Sequence, residues 1–561
     1  MPPSVTRTAD FERIAALPRR TLDRETAAVW ASEFTARYAR PGSGAALLPW
    51  QGQALVEIVQ CGGAFLGLPV GIGKTHIFEV APSVLRSEVS VLIVPAALRP
   101  KTFAARREIR AAWSLPSQPS HVLSREELAL ETRADLLTKL APDLILIDEC
   151  HALANTSTAT VRRLNRYLAS DPACRVVVGT GTPSRKSIMG YWHLLRWALG
   201  DGAPVPLARG EAELWAGVLD DSPRCAIRPR PGPLGATVEA AVAWYRDRLR
   251  ETPGVLIVDE DSAGDVPITV RQLVAPQDSA LDVAFAKLGL DQENPGGIPI
   301  TDSLSRWLLD GQLGLGLYTR WCPPPPERWR TARRAVAAFV RDRIAQTTNA
   351  HAPLDTEAQV LRRHAGHPVV AEWLAVKGTY REQTEAVWLS DSTLRACEAW
   401  LADVRCGVVW TGSLDFGREL ARRAGLAFYE QGGEARDGRS LLHAPPGRSF
   451  VASWKANAKG FNLQAWPRQL VTMPPQSALD LEQLLGRAHR TGQTERVTIE
   501  ILVTSGGTAD AFEAALREAR KVRDREGLTQ KLLRADVERA APRRTAANRY
   551  RWARKESETT P

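Results

Sequence analysis

AFLGLPVGIGKTH, Ala64–His76, joins an apolar run to two glycines that stand just before a lysine and a threonine. The apolar half predicts a strand, and the glycine half predicts a loop that opens a helix. Gly71 and Gly73 would let backbone N–H groups close around a phosphate. The ammonium of Lys74 would neutralise outer phosphates, and the hydroxyl of Thr75 would reach Mg2+. The pattern GxxxxGK[ST] asks for a small residue at position 68, where this chain has Leu68, with Gly67 one place off.

Two further strand ends belong with this loop. LILIDECH, Leu144–His151, is an apolar run that ends in a pair of carboxylates. Asp148 would hold Mg2+ through water, and Glu149 would orient and deprotonate an attacking water. In open parallel sheets, ligands gather at the carboxyl ends of strands, where both the glycine loop and the acidic pair would lie. GTGTP, Gly179–Pro183, comes after the run CRVVV. Its hydroxyls, Thr180 and Thr182, can bond to the acidic motif and to a polymer backbone. VLIVDEDS, Val255–Ser262, has the same outward shape but no glycine-lysine loop upstream in its own segment. It is read as a strand end with solvated acids.

The expected fold is therefore α/β, with two lobes of parallel sheet wrapped by helices. Residues 1–44 read as a helical lead-in ending at PGSG, and 45–200 as the first lobe. Residues 201–390, rich in Pro, Trp and Arg, read as a largely helical insertion. Short apolar runs resume with VRCGVVWTG, RSFVASW, RQLVTMP and RVTIEILVT, which places a second lobe at 391–510. A C-terminal helix and basic tail occupy 511–561. A chain of 561 residues has room for about three or four domains. Hydrophobic content of 44% with 24% charged residues fits a globular protein, not a disordered one. The net charge of +10 favours a polyanionic partner. No apolar run approaches the ~20 residues needed to span a bilayer. The seven cysteines form no CxxC pair, so neither a zinc site nor a disulfide framework is indicated. A reducing cytoplasm, in a bacterial or phage-infected cell, is the expected location.

QLLGRAHRTGQ, Gln483–Gln493, places Arg487 and Arg490 three residues apart in the second lobe. Phosphoryl transfer gains much of its rate from a cation at the developing charge. If the two lobes face each other, both arginines can reach the γ-phosphate of ATP. Opening and closing once per ATP would then drive a motor.

The ordered set resembles helicase superfamily 2, and within it the Swi/Snf-like branch of DNA-dependent ATPases. The likeness is carried by LLPWQ (Leu47–Gln51), VGIGKT (Val70–Thr75), LIVPAAL (Leu92–Leu98), the DEAH-like box in DECHALAN (Asp148–Asn155), GTGTP, VVWTG (Val408–Gly412), KGFNLQ (Lys459–Gln464) and QLLGRAHRTGQ. These motifs span about 45–200 and 400–505. The resemblance implies that Gln51 reads adenine and that His151 links hydrolysis to the GTGTP segment. Gly460 and Asn462 would sense nucleotide and DNA, and Gln483, Arg487 and Arg490 would complete the site. ATP and Mg2+ are the implied cofactors. Ala154 stands where this branch often has lysine.

The implied partner is DNA, double-stranded, gripped through its phosphodiester backbone, so binding should be sequence-tolerant and salt-sensitive. Candidate contacts are Arg99, Lys101, Arg185, Lys186, Lys455 and Lys459. The tryptophans and RWRTARR of the middle region read either as helix packing or as a stacking surface. The basic tail is a further candidate contact, and protein partner subunits are also expected. The leading function is an ATP-driven translocase on duplex DNA. The alternatives are a strand-separating DNA or RNA helicase, a nucleic-acid-binding scaffold with a non-hydrolysing nucleotide site, and an unrelated P-loop kinase or small-molecule ATPase.

Overall fold

The computed structural model describes residues 2–69, 71–181, 187–220, 227–276, 278–347, 353–457 and 460–540. It is an α/β structure in two compact units, each built on a parallel sheet surrounded by helices.

The first unit comprises residues 1–262, 336–370 and 520–529. Its strands are β1 (Ala64–Gly67), β2 (Ser90–Val94), β3 (His121–Ser124), β4 (Leu144–Asp148), β5 (Arg175–Thr180) and β6 (Val255–Ile257), in the order β3-β2-β4-β5-β1-β6. All pairings are parallel. Such a sheet is covered on both faces, which explains runs that are apolar throughout. Successive residues of β4 divide between two cores: Ile145 and Ile147 pack into one, Leu144 and Leu146 into the other.

The second unit comprises residues 263–335, 371–519 and 530–561. Its strands are β7 (Ile268–Val274), β8 (Leu317–Trp321), β9 (Thr384–Trp388), β10 (Gly407–Thr411), β11 (Phe428–Tyr429), β12 (Phe450–Ser453), β13 (Arg468–Val471), β14 (Val497–Val503) and β15 (Asp536–Glu538). Seven form a parallel sheet in the order β11-β12-β10-β13-β14-β7-β15, and β8 and β9 form an antiparallel pair.

The expected boundaries at 44, 200, 390 and 510 do not coincide with this division. The lead-in belongs to the first unit: Phe11 and Ile14 enter its core, and Gly52 lets helix Arg24–Tyr38 approach closely. A Cβ there would lie 2.5 Å from the Ala31 backbone nitrogen. The middle region is not a helical insertion alone. VLIV at 255 adds β6 beside β1, ITVRQLV adds β7 beside β14, and β8 and β9 follow β7 as an antiparallel pair. Past residue 510, helix Gly506–Glu526 is followed by β15, which pairs with β7. The basic tail from 541 onward lies outside the described residues. Among the described residues no helix is long and apolar enough to cross a membrane.

Candidate functional site

Strand register brings the three motifs of the first unit together. Gly67 at the end of β1 pairs with Thr180 at the end of β5, and Gly179 pairs with Asp148 at the end of β4. The glycine loop, the acidic pair and the GTGTP segment therefore leave the sheet side by side, at the edge where such sheets bind ligands.

The loop after β1 turns through Gly71 (φ +97°) and Gly73 (φ +92°) into helix Lys74–Val84. A side chain at Gly73 would be strained in backbone, and its Cβ would fall 2.5 Å from Gln51 Nε2. The Gln51 amide links two segments: Oε1 accepts from Leu48 N at 2.8 Å and Nε2 donates to the Gly73 carbonyl at 3.2 Å. Trp50 Nε1 donates to the Ile72 carbonyl at 3.3 Å. Gln51 and its neighbour thus brace the loop.

Lys74 is buried, and its Nζ donates to the carbonyls of Leu68 (2.7 Å) and Pro69 (3.2 Å). Gly179 beside it makes room for Phe78 of the same helix, since a Cβ there would lie 2.7 Å from Phe78 Cζ. The structure also explains Leu68. The loop uses only the backbone of that residue, whose nitrogen bonds to the Thr180 carbonyl, while the side chain is fully buried in the core. A large residue is therefore accommodated. Thr75 is half-buried in the first turn of the helix.

Asp148 accepts from Glu149 N at 2.9 Å. Burial pushes its carboxyl up to about 6, the Glu149 charge adds to this, and Lys74 and Lys101 pull it back. Glu149 sits in the left-handed region (φ +50°), a conformation that costs a non-glycine residue about 1 kcal/mol or more and is concentrated at functional sites. His151 Nδ1 lies 3.0 Å from Thr180 Oγ1 and 3.2 Å from Glu149 Oε2. It thus touches both the acidic motif and the end of β5. Thr182, expected to play a part like that of Thr180, lies outside the described residues.

The chemistry of these groups fits a nucleotide with Mg2+. A hydroxyl, two adjacent carboxylates, a buried ammonium and a glycine loop stand at one sheet edge. Among the described residues no cluster of three or more His, Cys, Asp or Glu forms a metal cage. Mg2+ needs none, because it binds through one or two carboxylates with water and substrate phosphates.

In the second unit, the FNLQ segment, Phe461–Gln464, is fastened along the arginine motif. Leu463 N donates to the Arg487 carbonyl at 2.9 Å, and Gln464 Nε2 to that of Thr491 at 2.9 Å. Gln493 Nε2 returns a bond to the Gln464 carbonyl at 2.9 Å. The two arginines differ. Arg487 is buried and donates to the Gln483 carbonyl (2.9 Å), Gln483 Oε1 (3.2 Å) and the Phe461 carbonyl (3.1 Å). That is the environment of a strut within the unit. Arg490 is half-buried and donates to Asn462 Oδ1. Gln483 is buried, and its Nε2 has no bonding partner among the described residues. Gly460 takes φ +92° at the start of the segment.

The cations proposed for DNA separate in the same way. Arg99 is engaged with Glu127 Oε2 and the Val122 carbonyl, both at 3.3 Å. Lys101 stands in helix Arg99–Ala112, and its charge acts on Asp148, an influence no sequence pattern announced. Lys455 is exposed, 5.8 Å from the centroid of the Trp454 ring. Arg185, Lys186 and Lys459 lie outside the described residues. The middle-region tryptophans divide: Trp215 and Trp329 are buried, whereas Trp321 and Trp388 are exposed. Trp329 is buried against Trp373 and Tyr380, with centroids 5.6 and 5.1 Å away, while Arg328 and Arg333 pair with Glu372 and Glu382. Asp259 of the second acidic strand end accepts from Thr529, as a structural acid would.

A buried histidine behind the acidic motif gives a pH signature. His193 Nε2 must carry the proton, because it donates to the Leu153 carbonyl at 3.0 Å. Nδ1 is then buried without a partner among the described residues. Burial lowers its pKa to about 4. The folded state therefore binds this proton less readily than the unfolded chain. The stabilisation is complete above pH ~6.5 and is lost as pH falls towards 4. Between pH 7 and pH 5 the loss should be about 2 kcal/mol. Urea unfolding of wild type and His193→Phe at both pH values tests this, and equal pH slopes would refute it.

No family model matches the chain, and no curated protein matches it.

Proposed function

We propose that the chain is an ATP hydrolase of the superfamily 2 type, with two RecA-like lobes, working as a Swi/Snf-like translocase on double-stranded DNA. The observation that carries this reading is the row at the end of the first sheet, where Lys74, Asp148, Glu149 and the His151–Thr180 contact converge. In the reaction, water attacks the γ-phosphorus, the bond to the bridging oxygen breaks, ADP leaves, and Glu149 takes the water's proton. Lys74 offsets phosphate charge. Thr75 and Asp148 would hold Mg2+, which when bound neutralises the β- and γ-phosphates. Arg490 and Gln483 of the second unit would complete the site. Arg487 would set the shape of the segment that carries Arg490.

The DNA part of the reading rests on the resemblance of the motifs and on the +10 charge. ATP hydrolysis measured without nucleic acid, with single-stranded DNA, with duplex DNA and with RNA tests it. Strong stimulation by duplex alone is expected. Preference for single strands would favour a strand-separating helicase, and no hydrolysis under any condition would favour a nucleotide-binding scaffold.

A further inference from the structure

The second unit holds a cavity of about 720 Å3 where strands β10, β11 and β12 begin. The motif residues Gly412, Lys455 and Gly460 lie beyond the carboxyl ends of these strands, at the opposite edge of the sheet. The cavity therefore belongs to none of the chemistry described above.

Its floor is apolar, formed by Val404, Leu426 and Phe450, and its rim carries Arg405, Arg423, Arg439 and Arg448. Among the described lining residues Glu398 is the single acid. It is already held by Arg423 at 2.6 and 2.9 Å. Arg439 is paired with Asp437 at 2.5 Å. Arg405 and Arg448 have no ion pair among the described residues. Tyr429 also lines the cavity, and burial holds its phenol protonated and able to donate.

Arg405 and Arg448, guanidinium forks that line the same cavity as the Tyr429 phenol, suit a phosphate, which arginine binds through paired N–H donors. The volume falls within the ~300–1,000 Å3 of small-molecule sites. Phosphate alone would leave the apolar floor uncovered, and a polynucleotide backbone would use the rim without the floor. We propose that this cavity binds a phosphate ester of nucleotide size, its phosphate held by Arg405 and Arg448 and its ring laid on the floor.

Calorimetric titration of the full chain with AMP, and in parallel with inorganic pyrophosphate, tests the proposal. Wild type, Lys74→Ala and the double variant Arg405→Ala/Arg448→Ala are compared. Lys74→Ala removes the glycine-loop site and should still bind AMP. The double variant, which changes exposed side chains, should lose at least about tenfold in affinity at the site that survives Lys74→Ala. Tyr429→Phe should show a smaller loss. Pyrophosphate should bind this site more weakly than AMP. Loss of all AMP binding in Lys74→Ala would overturn the proposal, as would unchanged binding in the double variant. So would a double variant that weakens duplex DNA binding while leaving AMP binding intact. Each result is separable from ATP hydrolysis, which neither arginine touches.

Discussion

ATP turnover by Glu149→Gln is expected to fall about a thousandfold while nucleotide and DNA binding stay at wild-type levels. The amide keeps the size and backbone of the glutamate, and with them the left-handed turn after β4 and the packing against His151. It cannot take a proton from water, and a positioned general base contributes roughly 10²–10⁴-fold. Steady-state hydrolysis beside equilibrium binding of a fluorescent ATP analogue measures both halves of the expectation. A variant that retains a tenth of wild-type turnover would remove Glu149 from the role of base. Arg490→Ala should share this phenotype, because its guanidinium has a single described partner, Asn462. Arg487→Ala should differ. Its buried head group holds Gln483 and Phe461, so removing it should lower the stability of the second unit as well.

The parts of the fold that were legible share one property: the signal lies in consecutive residues. LILIDE announces its strand because a parallel strand covered on both faces must be apolar throughout, and the structure has β4 there. The glycine loop was legible because its backbone needs glycine at φ near +90° directly before the lysine. β7 was missed for the opposite reason. ITVRQLV carries Arg271 and Gln272, and it reads as a strand only beside β14, with which it shares seven register positions across more than two hundred residues of sequence. The division at 262 was hidden by that omission. In the candidate site, the motif order located Lys74, Asp148, Glu149 and Thr180. It could not separate Arg487 from Arg490, because identical residues three apart differ only in what lies against them. The same limit hid Lys101, whose charge acts on Asp148 from helix Arg99–Ala112.

Asp355→Ala should destabilise the first unit by about 3–5 kcal/mol, the usual consequence of removing one partner from a buried ion pair. Nothing in the sequence warns of it. RRLNR on helix Ala159–Ser170 looks like a solvated cationic face, and PLDTEAQ looks like a loop. In the structure Arg162 and Arg163 are buried, and with Arg166 they converge on one carboxylate. Arg162 and Arg163 each approach it at 3.2 Å, and Arg166 reaches both oxygens at 3.1 and 2.5 Å. Arg162 also donates to the Asp355 carbonyl at 2.7 Å. Burial works against ionisation here, yet the three guanidinium groups hold the carboxyl below its ordinary range. The stabilisation is therefore present above the unfolded value near 3.8 and is lost as pH falls through the folded one. Without the carboxylate, two buried cations have no counter-charge, and the segment that Asp355 fastens to the helix is released. The thermal midpoint of the unit should drop by roughly 5–10 °C at neutral pH, and Asp355→Asn should behave like the alanine variant although it keeps the shape. Combining Asp355→Ala with Arg166→Ala should cost less than the sum of the two changes, because the half-exposed arginine then no longer adds to the uncompensated charge. A drop of less than about 1 °C for Asp355→Ala would show that water or other acids neutralise the cluster, and the role given to this carboxylate would fail.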